Sequence, residues 1–274
     1  MNLGRAAKNL GQGLVVPVAV VVIWEVCARA HVVSPIVLPA PSAVAAKWLG
    51  GLRPAAPFDP AGGSYLKWLV SGELIHDTGA SLFRVVVGFV LGAGLALPLG
   101  LAMGAGSRIY ALLGPVLQVL RPIPPIAFIP LAILWFGLGN PPAIFLIALG
   151  AFFPILMNTI AGVRQVDGLL VRAAQNLGAD GITLFRRVVF PAALPFIATG
   201  LRIGMGTAFI VVIVSEMIAV NDGLGYRILE AREFMWSDKI IAGMLTIGML
   251  GLAIDGGMSR VERYFLRWHR GIAS

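Results

Sequence analysis

Cysteine is nearly absent: Cys27 stands alone in 274 residues. A single thiol forms no internal disulfide and no thiolate metal cluster. Histidine is almost as scarce. His31, His76 and His269 lie far apart on three different connecting or terminal segments, and they read as solvated or interfacial side chains. Charge is the third shortage. Only 12% of the residues are charged, where a soluble domain carries roughly a quarter, so most of the chain must face lipid or packed helices. The dipeptide Gly-Lys occurs nowhere. The chain therefore has no GxxxxGK[ST] phosphate-binding loop and cannot hydrolyse ATP by that route. The net charge is +8, yet no basic cluster is interleaved with aromatics as a single-strand binder requires. Nucleic acid is not an expected partner, and the cationic excess reads as the loop bias of a membrane protein.

What is plentiful is apolar sequence, 58% of the chain. Leu14 to Trp24 continues through Val26-Cys27-Ala28, interrupted by Glu25 and Arg29, whose i,i+4 spacing lets them pair on one helix face. Val85 to Met103 is uncharged. So is everything between Arg121 and Arg164, a stretch too long for one crossing of about 20 residues; Gly137-Leu138-Gly139-Asn140-Pro141-Pro142 divides it. Pro191 to Ser215 carries one charge, Arg202, and Ile240 to Met258 carries one, Asp255. The expected fold is an all-α integral membrane protein with six transmembrane helices. Arg5 and Lys8 before the first run, with Ala28-Arg29-Ala30 after it, imitate a signal peptide, but Arg29 is a poor cleavage context and an uncleaved first span is expected.

Lys and Arg in short loops set the orientation. With the N-terminus inside, the cytoplasmic segments hold Arg5 and Lys8, then Arg108, then Arg164, Arg172, Arg186 and Arg187, and finally Arg260, Arg263, Arg267 and Arg270. The outer loop between spans three and four holds none, so both termini are expected in the cytoplasm. The first outer loop, Pro35 to Asp77, is long, with a glycine- and proline-rich centre (Gly50 to Gly63) that should be irregular and wet. The division expected is a first helix and external loop over 1–77, a transmembrane domain over 78–262 and a cytoplasmic tail over 263–274. No internal repeat is visible, so one chain should supply half of a pore. Gly88 and Gly92, Gly100 and Gly104, and Gly200 and Gly204 recur at a spacing that permits close helix approach; ordinary packing within the chain explains them as well as an interface does.

Between spans four and five lies a cytoplasmic segment, Arg164 to Phe190. The spacing predicts a short helix over Leu169 to Leu177 with Gly178 as its C-cap, then a second over Ile182 to Val189, stopped by Pro191. Two short helices with a glycine hinge make a knob outside the membrane. Ala173 and Ala174 leave room for a groove on another protein, although an ordinary amphipathic interfacial helix gives the same pattern.

This segment resembles the loop of the permease subunits of bacterial ATP-binding-cassette (ABC) importers: Glu-Ala-Ala, three residues, Gly, nine residues, Ile-x-Leu-Pro. Here Ala173-Ala174, Gly178 and Val188-Val189-Phe190-Pro191 hold the same spacing, while Arg172 stands where the family usually has Glu. The resemblance covers nearly the whole chain. It is closest to the nitrate, sulfonate and taurine branch through Leu38-Pro39-Ala40-Pro41-Ser42, Leu120 to Ala127, Ile133 to Gly139, Pro191 to Pro195, Gly200-Leu201-Arg202, and Ser215-Glu216-Met217-Ile218-Ala219 leading to Gly223-Leu224-Gly225-Tyr226. It implies a type I ABC importer transmembrane fold and a homodimeric pore in the bacterial plasma (inner) membrane. Two separate ATPase subunits would carry ATP and Mg, and a periplasmic or lipoprotein binding protein would deliver the cargo. The chain itself would bind no cofactor and catalyse no reaction. The ATPase-coupling residues it implies are Arg172, Ala173, Ala174, Leu177, Gly178, Ala179, Asp180 and Pro191.

Charges inside spans are expensive and mark function by default. Arg202 and Glu216 lie on the fifth span. Arg121 begins the third, beside Pro122, Pro124 and Pro125, which remove backbone donors where irregular backbone is tolerated only if buried or lining a cavity. Arg121, Arg202 and Glu216 are the candidates for a translocation path that favours an anion, of aliphatic sulfonate, taurine or nitrate type, or bicarbonate or an aromatic acid. For Arg202 the structural alternatives are snorkelling to the inner face and pairing with Glu216 or Asp255. Two competing classes make different predictions. A secondary transporter predicts inverted repeats and midplane carboxylates, but no repeat is visible and the knob would have no purpose in one; a membrane enzyme predicts His, Asp or Cys gathered in one cavity, and no such cluster is visible.

Overall fold

The computed structural model describes residues 3–54, 57 and 64–266, with the backbone alone at 3–14, 66, 67 and 265. The side chains of Arg5 and Lys8, most of the first outer loop's centre, and Arg267, His269 and Arg270 in the tail lie outside the described residues. What is described is helical, without a strand: α1 (Leu3–Arg29), α2 (Pro41–Leu52), α3 (Tyr65–Leu69), α4 (Glu73–Ala105), α5 (Ser107–Leu120), a 3-10 turn (Pro125–Phe128), α6 (Ile129–Phe136), α7 (Asn140–Arg164), α8 (Gly168–Asn176), α9 (Gly181–Leu184), a π turn (Phe185–Val189), α10 (Phe190–Ala219), α11 (Leu224–Glu233) and α12 (Ser237–Phe265). Four of these stretches, 73–105, 140–164, 181–219 and 237–264, are long and apolar enough to cross a membrane, and 107–120 with 125–136 form a fifth candidate bent by 83°.

That bent pair corrects one expectation. The helical stretch there does not begin at Arg121: α5 precedes it, and Arg121 is the C-cap of α5. Arg108 and Arg121 bracket only 12 uncharged residues, too few for a span by themselves, so the run was not recognisable as part of one. Pro122, Pro124 and Pro125 then remove successive backbone donors, and the helix turns sharply instead of starting there.

A second correction concerns Pro191. It does not stop a helix; residues 181–219 run on as one helical stretch. Pro191 sits in the first turn of α10, and the five residues before α10, Phe185–Val189, are wound as a π turn. A π turn shifts the hydrogen-bond register by one residue, which is how the ring and its missing N–H are taken up without a break.

The chain forms two compact units. One contains the residues up to Thr78 with Arg227–Ile247. In it the end of α1 is tied to the Leu38–Ser42 stretch: Trp24 Nε1 donates to the Pro39 carbonyl at 3.1 Å, and Glu25 accepts from the Ser42 amide at 3.0 Å and its hydroxyl at 2.8 Å. The expected Glu25–Arg29 pair is present at 2.6 Å. Trp48 Nε1 donates to Thr246 Oγ1 at 3.0 Å, fixing α2 to α12. Arg227 gathers Glu73, Asp77 and Glu230 within 2.8 Å. Burial alone would lower the Arg227 pKa, but the hydrogen bonds to Asp77 and Glu230 hold it above its ordinary value.

The other unit holds Gly79–Tyr226 with the chain from Gly248 onward, and α7 is its axis. Asn140-Pro141-Pro142 starts the helix with prolines where amide donors have no partner anyway, and Leu146, Ile147, Ala151, Ile155 and Leu156 are fully buried along it. The paired glycines are where neighbours close on it. A Cβ at Gly92 would lie 2.5 Å from the Ala148 carbonyl, one at Gly104 2.5 Å from Val163, and one at Gly204 2.7 Å from Ile155. All six serve packing within the chain. Gly92→Val should accordingly lower stability by roughly 1–3 kcal/mol, while Gly94→Val on the same helix, where a Cβ meets nothing within 4 Å, should not. Thermal unfolding of the two variants in lipid nanodiscs checks this, and equal midpoints would contradict it.

Candidate functional site

The compact knob expected between spans four and five is α8 with the turn to α9. Asp167 caps α8, its side chain accepting from the Leu169 amide at 2.8 Å, an interaction that stabilises a helix start by about 1 kcal/mol. The helix ends on Leu177, and Gly178 follows at φ +83°. The Gly178 amide donates to the Gln175 carbonyl at 2.9 Å and the Ala179 amide to the Ala174 carbonyl at 3.0 Å. These two bonds define a Schellman termination, in which the left-handed residue is glycine because other residues pay for a Cβ there. Asp180 precedes α9 in extended backbone, its carbonyl accepting from Thr183 and Leu184.

The knob presents an apolar tip. Leu177 is 89% exposed, Leu169 and Ile182 are each 71% exposed, and a Cβ at Gly178 would meet nothing within 4 Å. Arg172 folds back along its own helix, Nε donating to the Gly168 carbonyl at 3.2 Å; a Glu there would instead project an acceptor. Pro191, the last residue of the motif, sits where the π turn passes into α10.

The three path candidates are separated. Glu216 is fully buried and is part of a network that sequence reasoning missed. Ser81 donates to Glu216 Oε2 at 2.8 Å, and the Gly225 amide donates to the same oxygen at 3.0 Å. Arg84 Nη1 donates to Glu216 Oε1 at 2.7 Å and to the Asp222 carbonyl at 3.1 Å, and its Nε donates to Asn140 Oδ1 at 2.7 Å. Arg84 Nη2 also pairs with the Asp222 carboxylate. Ser81 Oγ in turn accepts from the Leu224 amide at 3.0 Å. Glu216 and Ser81 thus satisfy the first two free donors of α11, which a helix start leaves unpaired. Gly223 and Gly225 are required by proximity: a Cβ at Gly223 would lie 2.6 Å from the Glu216 carboxyl, and one at Gly225 2.3 Å from the Ile213 carbonyl. The signal was present in Ser81 and Arg84, three residues apart on one face of α4 at the edge of the uncharged run that starts at Val85; they are 1% and 2% exposed.

Arg202 meets Asp255, one of the partners foreseen for it, and not Glu216. Its Nε and Nη2 donate to the two carboxylate oxygens at 2.8 and 2.9 Å, with Glu262 at 3.7 Å. The pair joins α10 to α12 beside a small cavity of about 80 Å³.

Arg121 alone of the three lines a large cavity, about 530 Å³, bounded by the α5–α6 break, α7 and α10. Among the described residues no carboxylate pairs with Arg121. The polar side chains Asn158 and Thr207 line the same space; its other walls are apolar, including Ile126, Phe153, Met157 and Ile210.

Four to five helical stretches long and apolar enough to cross a membrane, packed on one another, mark a multi-pass membrane protein. The model of the family described as "Binding-protein-dependent transport system inner membrane component" matches residues 89–267, and the chain belongs to that family: it is an ABC importer permease of the sulfonate, taurine and nitrate branch. It is 36% identical to a Bacillus subtilis permease protein named for aliphatic sulfonates, over 97% of this chain and 90% of that one. It is 34% identical to the Escherichia coli taurine transport system permease protein, over 90% and 86%, and 37% identical to the Synechocystis nitrate import permease protein, over 67% and 66%. The fold is that of the MetNI methionine ABC transporter solved in inward-facing conformations, with a TM-score of 0.60 at 20% identity, over 68% of this chain and 92% of that one. Permeases of this kind are transport subunits, not enzymes.

Proposed function

We propose that this chain forms, with a second copy of itself, the translocation pathway of an ATP-driven importer in the bacterial plasma membrane. Each copy crosses six times, α1 being the first crossing, with both termini in the cytoplasm. Two ATP-binding cassette ATPase subunits, which hold ATP and Mg, seat on the two knobs, and a periplasmic or lipoprotein binding protein delivers a small anion, of aliphatic sulfonate, taurine or nitrate type. The observation that carries this reading is the knob. A Schellman-terminated helix holding Leu177 almost wholly in solvent stabilises nothing in its own chain, and an apolar tip on a rigid turn is suited to a groove in a partner. The coupling contacts are Arg172, Ala173, Ala174, Leu177, Gly178, Ala179 and Asp180, and Pro191 with the π turn passes displacement of the knob into α10. Glu216 is assigned to holding the outer ends of α4, α10 and α11 together, and Arg202 to joining α10 and α12; of the three charges, Arg121 is the one placed for an anion in transit. A secondary transporter, the competing class, gives the knob no task.

The test is reconstitution. Proteoliposomes carrying this chain with its ATPase should accumulate labelled taurine or ethanesulfonate only when ATP is enclosed on the cytoplasmic side and binding protein is present outside. Accumulation driven by an ion gradient in the absence of ATP would overturn the assignment.

A further inference from the structure

The fifth-span helix α10 has two seams, and they are built differently. Against α7 it is interlocked. A Cβ at Gly200 would lie 2.7 Å from that of Asn158, one at Gly204 2.7 Å from Ile155, and one at Gly162 on α7 2.6 Å from Phe196 on α10. Small residues at such contacts let the backbones close on each other and leave no room to slide. The knob is joined to α7 at one end and, through α9 and the π turn, to α10 at the other. Displacement of the knob therefore carries α7 and α10 as one body.

Against α12 the seam is loose. A Cβ at Gly206 would meet nothing within 4 Å, and one at Gly251 only ordinary contact with the Phe209 ring at 3.4 Å. A cavity of about 80 Å³ lies between Gly206, Phe209, Gly251 and Met258, beside Arg202 and Asp255. This is the seam that has room to shift.

Arg202 crosses it and has two carboxylates within reach on α12. Asp255 takes both hydrogen bonds, at 2.8 and 2.9 Å, and Glu262 stands by at 3.7 Å from Nη1. The two acids are about two turns apart, on the order of 10 Å along the helix axis. The Glu262 side chain leans back toward the start of α12, as every helical Cβ does, and so toward Asp255. A guanidinium that lost its partner at this depth would be expensive. A second acid one step along the seam removes that penalty and gives α10 two stable registers on α12, the geometry of a ratchet between packed helices.

Building on the permease reading above, we infer that Arg202 is a two-position latch of the transport cycle. It is bonded to Asp255 in the conformation described here and is handed to Glu262 when the body of α7, knob and α10 slips by about one helical turn, roughly 5 Å, toward the knob. Glu262 lies on the knob's side of Asp255, because α10 enters and α12 leaves the membrane on that side. Glu262 is thus a positioning residue: it touches no cargo and sets how stable the second register is.

The experiment uses the permease–ATPase complex in proteoliposomes and reads phosphate release without binding protein, labelled uptake with it, and the thermal midpoint. Asp255→Asn removes the partner of the first register and Glu262→Gln that of the second. Basal phosphate release should therefore move in opposite directions in the two variants, each by up to about fivefold for a partly exposed pair, and uptake should fall in both. Glu262→Gln leaves the Arg202–Asp255 bonds intact, so its midpoint should equal that of wild type, and Glu262→Asp, which keeps the charge, should recover part of the uptake. Elution of each variant with its ATPase confirms that the complex is intact. Phosphate release moving in the same direction in both variants, or wild-type uptake and phosphate release in Glu262→Gln, overturns the inference and leaves Arg202–Asp255 a static tie. If Asp255→Asn fails to fold, the Glu262→Gln and Glu262→Asp pair still decides. Failure of the permease reading looks different: wild type itself then shows no ATP-dependent uptake, and the ATPase does not co-purify.

Discussion

Replacing Gly178 by Glu should abolish ATP-driven uptake while leaving the permease folded and inserted. Two costs combine at this position. Gly178 has φ +83°, where a side chain costs roughly 1 kcal/mol or more, and the Schellman bonds from Gly178 to Gln175 and from Ala179 to Ala174 depend on that conformation. The cost within the chain is local, because a Cβ there meets none of the chain's own atoms within 4 Å. The larger effect falls on the partner. A carboxylate beside the apolar Leu177 tip must be desolvated to enter a groove, which costs several kcal/mol and removes coupling. The measurement is paired: labelled uptake in proteoliposomes, and phosphate release by the ATPase in the same preparation. Uptake should fall to the level seen without ATP, and phosphate release should lose its response to binding protein. Gly178→Ala separates the two costs, retaining part of the uptake because only the conformational term remains. Ala174→Glu should resemble Gly178→Glu. Transport by Gly178→Glu at the wild-type rate would remove the coupling assignment.

The knob was legible because its determinants are local. Helix length, the glycine at C′ and the alanines before it are set within about ten residues, and α8 at Gly168–Asn176 lies within a residue of the range expected from spacing. The break at Gly137 to Pro142 was legible for the same reason: Gly137 and Gly139 take φ +74° and +120°, which a Cβ on the residue itself disfavours, and the two prolines after Asn140 start a helix. Three features were not legible, and each depends on something distant or on a compromise between rules. The α5 helix was hidden because a charge was taken to end a span, when Arg121 instead marks a bend. Pro191 was read as a stop because propensity rules describe α-helices, and the register shift through Phe185–Val189 is a tertiary solution. Arg84 was overlooked because it borders an apolar run, the usual place for a solvated charge, and only the fold brings Asn140, Glu216 and Asp222 around it. The same blindness placed Glu216 with Arg121 and Arg202 as one group, since a charge within a span looks alike whether it faces a pore or a partner.

Arg84→Ala should be the most destabilising single change in the membrane domain. The side chain is 3% exposed and Glu216 is fully enclosed, so removing the guanidinium leaves a buried carboxylate with only Ser81 and the Gly225 amide to solvate it. Breaking one side of a buried pair typically costs 3–5 kcal/mol, here on the order of 10 °C in unfolding midpoint for a chain of this size. Glu216→Gln keeps the volume but offers one acceptor oxygen where Ser81, Gly225 and Arg84 together present three donors, so it should also lower the midpoint, by less. The double replacement Arg84→Met with Glu216→Met removes both charges and refills the space, and should recover part of the loss, because pairing in a dry site is only partly offset by attraction, while the Ser81 hydroxyl and Gly225 amide lose their acceptor; Asp222, 42% exposed, can stay solvated without its partner. Thermal unfolding in nanodiscs, read beside labelled uptake, decides between two roles for Glu216. If it holds α4, α10 and α11 together, uptake and stability fall together in the single variants and return together in the double one. If instead it meets the cargo, Glu216→Gln would transport poorly at an unchanged midpoint, and the double replacement would stay inactive however stable it became.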